Sequence, residues 1–240
     1  MWRTRARAVR ATRARLLSAG QFSMLNQTPL APSGGVPAPS ATAVTGVLEV
    51  PAILMRFKDS PPPTFTATDY NDVLFRAAPG GASAGRPYTL RSFYSQMSNG
   101  VFDIQGATYG YASLDSNEVW YVGGTSATCQ QSNPFNSTNC NGLFSAPAQA
   151  RMQSGLREAL IKLDAQINFA QYADTSGFVP LVLFLHQAVG AECGPASAPE
   201  NHLWSHRFSL ATPYTSQDPD PFHPGSKVKV SDYILQPAVG

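Results

Sequence analysis

Apolar positions along this 240-residue chain recur with two spacings, and each spacing predicts a kind of element. Val179–Leu185, VPLVLFL, is the longest unbroken apolar run. It is short and is closed by polar residues from His186, so it predicts a buried central strand. Val47–Phe57 predicts a first strand whose regular part begins after Pro51, because proline cannot donate to a ladder. Val101–Tyr111 alternates as a half-exposed strand does, and Lys227–Leu235 predicts a last strand. Helical spacing appears three times. Tyr70, Val73 and Leu74 share a face, with Thr66 or Thr68 to cap them. Leu90, Phe93, Tyr94 and Met97 repeat at i, i+3, i+4 and i+7, and Asn99-Gly100 closes that helix. Met152, Leu156, Ala159, Leu160, Leu163 and Ile167 form a stripe along a long helix, Ser145–Asn168. Strands interspersed with helices, without internal repeats, predict an α/β (α+β) sandwich around a mixed, mostly parallel sheet.

Gln27–Val44 is rich in Pro, Ala, Ser and Gly and reads as a linker. Residues 1–43 are therefore expected to be a basic leader and linker, and residues 44–240 the folded domain. Charge sharpens this division. Six of the 17 basic residues (Arg3, Arg5, Arg7, Arg10, Arg13 and Arg15) lie in the first twenty positions, which hold no acid. The rest carries 11 basic against 15 acidic residues, a net of −4. A mildly acidic body argues against nucleic acid as a partner. Only Leu16-Leu17 follows the arginines, so no secretory h-region is legible. No stretch reaches the ~18 apolar residues of a membrane span.

Cys129 and Cys140 bracket a polar loop with ten residues between them, a spacing that suggests a local disulfide in an exported protein and leaves Cys193 over. Three of the four histidines, His186, His202 and His206, fall within twenty-one residues. His202 and His206 are four apart, as zinc ligands on a helix are, but Leu203 stands where a metalloprotease needs its glutamate base. The segment also alternates like a strand, on which positions four apart span ~13 Å, too far for one ion. Ser205 lacks a G-x-S-x-G elbow, and Cys193 with a histidine is weakly specific, so a serine or cysteine hydrolase is the least favoured enzyme. Asp174-Thr175-Ser176-Gly177 has one acid, too few for calcium.

Four segments in order carry a resemblance: ILMRFKDSPPPTFTATDYNDVLF, TLRSFYSQMSNGVFDIQGATYGY, GFVPLVLFLHQAVGAE and LWSHRFSL. They resemble the first part of the catalytic domain of the immune inhibitor A family of secreted zinc metalloproteases, from about Val47 to Val239. In that family a helix with paired aromatics precedes a strand ending in glycine and an aromatic. An apolar strand there ends in histidine, and a Trp-Ser/Pro-His motif follows. The resemblance implies a secreted endopeptidase acting on peptide or protein, with zinc in the complete domain. HExxH, which holds that zinc, occurs nowhere in this sequence. The chain is thus expected to be the N-terminal part of such a domain, to bind no zinc and to be inactive by itself; a non-catalytic scaffold or binding relative is the alternative. Calcium is doubtful for the reason already given. The resemblance further implies that Val228–Leu235 is the sheet edge along which substrate lies. His186, Trp204, His206 and Tyr233 would line or support the cleft, Trp204 alternatively being core.

Overall fold

A computed structural model describes residues 45–123, 140–143, 145–192 and 202–238. The leader and linker expected over residues 1–43 lie outside them, as do Cys129 and Cys193. In chain order the elements are β1 (Gly46–Arg56), α1 (Ala67–Leu74), α2 (Leu90–Met97), β2 (Phe102–Ser113), α3 (Glu118–Val122), α4 (Ala146–Leu163), β3 (Phe178–Val179), β4 (Val182–His186), β5 (His206–Pro219) and β6 (Lys227–Pro237).

Helix starts follow local chemistry. Thr66 accepts from the Asp69 amide while the Asp69 carboxylate takes the Thr66 amide, a reciprocal cap for α1. Thr89 caps α2 by accepting from Ser92, and Asn99 and Gly100 end it with positive φ. Ser145 caps α4, with Pro147 in its first turn. The long helix stops at Leu163, earlier than its apolar spacing suggests. Asp164–Gln166 tightens into a 3-10 turn, where the Asp164 carboxylate leaves the helix surface to accept from Tyr214 and from the Gln217 amide on β5.

The sheet order is β2-β1-β4-β6, with β3 and β5 also paired to β6. β1 pairs in parallel with β2 and β4, and β6 with β4. β3 and β4 meet β6 in one continuous register, Val179 opposite Val230 and Val182 opposite Tyr233. They are two halves of one strand. The apolar run expected to be unbroken is interrupted at Pro180-Leu181, because proline has no N–H to give the ladder. Pro51 does not delay β1, which pairs with β2 from Gly46 onward. β4 joins β1 only from Ala52, so Pro51 sits where β1 has one neighbour, a position that tolerates proline.

One expectation is overturned. Val228–Leu235 is not an edge: β6 lies between β4 and β5. The outer strand is β5, which runs antiparallel to β6 and has no other strand partner among the described residues.

Alternation along the parallel strands divides the core in two. Ile53, Met55, Val182, Phe184, Tyr233 and Leu235 meet Met152, Leu156 and Leu160 of α4 on one face. Val50, Leu54, Leu183 and Leu185 turn to the other face, toward Leu74 of α1 and Phe102 of β2. Helices on both faces complete an α/β sandwich of the kind the alternating elements predict.

Candidate functional site

Three of the four described histidines, His186, His202 and His206, gather at the carboxyl end of the parallel strands, where open α/β sheets place their ligands. β4 ends in His186, β5 begins with His206, and α3 brings Glu118 to His202 from 84 residues away in sequence. Each side chain has a distinct environment.

His186 is fully buried, its ring 5.9 Å from that of Phe57, and neither ring nitrogen has a hydrogen-bond partner among the described residues. Burial pushes its pKa down to about 3; the nearby Glu192 charge opposes this and His202 and His206 reinforce it. The imidazole is therefore neutral at any physiological pH.

His206 is placed by the two strands it joins. Its Nδ1–H donates to the Trp204 carbonyl (2.6 Å), which leaves Nε2 to accept from the Tyr233 hydroxyl (3.1 Å). Burial pushes this ring down to about 4, against the upward pull of the Trp204 carbonyl and Glu192. Tyr233 is fully buried and also packs edge-on against Phe184.

Glu118 opens α3 and accepts from the Leu203 amide (3.2 Å), with His202 Nδ1 at 3.3 Å. Burial pushes its carboxyl up to about 8, the Leu203 amide pulling the other way and Asp59 adding to the rise. Glu192 accepts from both the amide and the hydroxyl of Ser205. Burial alone would raise the Glu192 carboxyl, but those bonds outweigh it and hold it below the usual range. Ser205 is thus bound to a carboxylate and not to a histidine, which is no arrangement for a serine nucleophile. Trp204 is 38% exposed and lies outside the core. Its amide donates to the Asn141 carbonyl, one residue from Cys140. Cys140 is buried and disulfide-bonded; the expected partner, Cys129, lies outside the described residues.

A concavity lies on the other face of the sheet. It is an apolar groove of about 1010 Å³ with Leu183, Leu185 and Ile234 on its floor. Tyr94 and Met97 of α2 wall it on one side, and Arg207 of β5 stands on its rim.

Residues 58–240 match the family described as immune inhibitor A peptidase M6, catalytic domain. The chain belongs to that family. It is also similar to Pre-pro-metalloprotease PrtV of Vibrio cholerae serotype O1, in strains M66-2 and ATCC 39315 / El Tor Inaba N16961. Identity to each is 23% over 193 residues, covering 72% of this chain and 19% of the relative. The chain spans about a fifth of the length of these curated relatives.

Immune inhibitor A peptidases imply zinc, and the described residues do not fit it. His202 faces Glu118, and both nitrogens of His206 are engaged within the protein. Among the described residues no three His, Cys, Asp or Glu side chains converge as metal ligands. The calcium-like turn is similarly committed: Asp174 accepts from the amide and hydroxyl of Ser176. Gly177 has φ +73°, and a Cβ there would come within 2.0 Å of Asp220, so the turn is docked on the β5–β6 loop.

Sequence reasoning marked His186, Trp204, His206 and Tyr233, and the fold brings His206 and Tyr233 into contact. It missed Glu118, whose only local signal was an acid at the start of a short helix, and Arg207, which neighbours the histidine motif but has no motif of its own.

Proposed function

We propose that this chain forms the sheet-bearing part of a metalloendopeptidase catalytic domain and takes up protein substrate as an extended segment along β5. The observation that carries this is the position of β5, one of the two outermost strands, the one antiparallel strand among the described residues, and bordering the groove beside the histidine cluster. Further along β5 the Ser209 carbonyl and the Ala211 and Gln217 amides are taken by Gln153 and Asp164, so the stretch His206–Phe208 is the part of the edge that would offer backbone amides and carbonyls to an incoming chain, fixing it without reading every side chain. An extended, β-branched peptide is expected to bind the 240-residue chain, and its counterpart N-methylated at alternate amides to bind at least tenfold more weakly by fluorescence anisotropy. Equal binding of the two overturns strand addition.

Residues 1–240 bind substrate without cutting it. Supporting this, the sequence has no HExxH and the two spaced histidines are occupied with protein partners. After exposure to zinc and dialysis, the chain is expected to hold no stoichiometric metal, and casein incubated with it to stay intact. One zinc per chain would instead assign His202 and His206 as ligands. The disulfide at Cys140 supports an oxidising, extracellular destination, and the name of the Vibrio relative marks a protein made with pre- and pro-segments.

A further inference from the structure

We infer that Arg207 makes the β5 edge selective for a segment with an acidic side chain opposite it, and against one with a basic side chain there. This rests on substrate lying along β5. Of the residues lining the apolar groove, Arg207 alone is charged. It is exposed and forms no ion pair with any described residue. The two acids of the histidine cluster are engaged elsewhere, Glu192 by Ser205 and Glu118 by Leu203 and His202.

Alternation along β5 decides which way the guanidinium points. His206 meets Tyr233, and Phe208 joins the α4-side core, so both face α4. Arg207 falls between them and faces the groove, opposite Ile234 across the β5–β6 pair. A strand added outside β5 would present alternate side chains on that same face. The one beside Arg207 meets a rigid fork of donors suited to a carboxylate. The apolar wall behind the fork excludes water from one side, which strengthens the pair relative to one in open solvent. A lysine or arginine in the same place would face an uncompensated like charge, so the edge discriminates by repulsion as well as attraction.

The test uses the whole chain and three labelled extended peptides that differ only in a central Glu, Gln or Lys. Anisotropy is expected to show the Glu peptide binding roughly three- to tenfold tighter than the Gln peptide, and the Lys peptide weakest. The difference should shrink in high salt. Arg207→Gln is expected to equalise Glu and Gln, and Arg207→Glu to invert the order of Glu and Lys, with circular dichroism confirming that both variants fold. The peptide series on the unaltered chain decides the matter even if a variant fails to fold. If Glu, Gln and Lys peptides bind alike while N-methylation abolishes binding, selectivity by Arg207 is overturned and strand addition survives. If N-methylation changes nothing, or no peptide binds, strand addition falls and the selectivity with it.

Discussion

Lowering the pH from 4.5 to 3 is expected to destabilise the domain by about 2 kcal/mol, with His186 responsible for most of the loss. Its folded-state pKa of about 3 lies below the ordinary 6.5, so the unfolded chain binds a proton first as pH falls. The stability from keeping this ring neutral is fully present above about 6.5 and is lost progressively toward 3. At about 1.4 kcal/mol per unit, that is on the order of 5 kcal/mol across the window. His206, depressed to about 4, acts in the same direction, but it is partly exposed and adds less. Glu118 acts oppositely. Its carboxyl is raised to about 8, so its contribution is full below about 4.5 and is lost as pH rises through 8. Between 4.5 and 6.5 the glutamate offsets the His186 effect proton for proton, and the net loss comes below 4.5. Urea midpoints measured from pH 7.5 to 3 check this. His186→Leu removes the proton-binding ring while keeping an apolar side chain in the core, and is expected to flatten the acid limb. An acid limb as steep in the variant as in the parent would mean the buried imidazole is not its source.

Phe184→Ala is expected to cost ~3–5 kcal/mol and to lower the melting temperature by roughly 6–20 °C. Phe184 is fully buried at the centre of β4, opposite Ile53 of β1 and Leu235 of β6. Its ring packs edge-on to Tyr233 at 6.1 Å. Strands on both sides hold β4 in register, so the neighbours cannot collapse into the space the ring leaves. A typical domain has only about 5–15 kcal/mol in total, so this loss would leave a substantial unfolded fraction on warming. Ile161→Ala serves as the control, because that side chain of α4 is 59% exposed and its truncation should stay within about 0.5 kcal/mol. Denaturant unfolding that put both variants within 1 kcal/mol of the parent would contradict this account of the core.

What was legible locally came through. The stripe on α4, the i, i+3, i+4, i+7 set on α2 and the apolar core of β1 each depend on the period of one element, and a period is written in consecutive residues. The second half of the site was legible for a similar reason. His186 and His206 end and begin strands that are near one another in sequence, so their association needed only a loop. β5 itself was harder to see. Pro213 and Pro219, with Ser, Thr and Asp between them, interrupt its apolar alternation, and two register shifts against β6 accommodate them.

By itself, the sequence of this protein determined that strands and helices alternate, which faces are apolar, and that histidines cluster after the central strand. Which strand lies outermost was decided only by the tertiary structure. β5 and β6 both look like terminal strands in sequence, and edge or interior is a property of neighbours. The same holds for the charges. Glu118 is raised and His186 lowered because other elements exclude water from them, and a lone arginine becomes a selective contact only where a groove and a strand edge meet beside it.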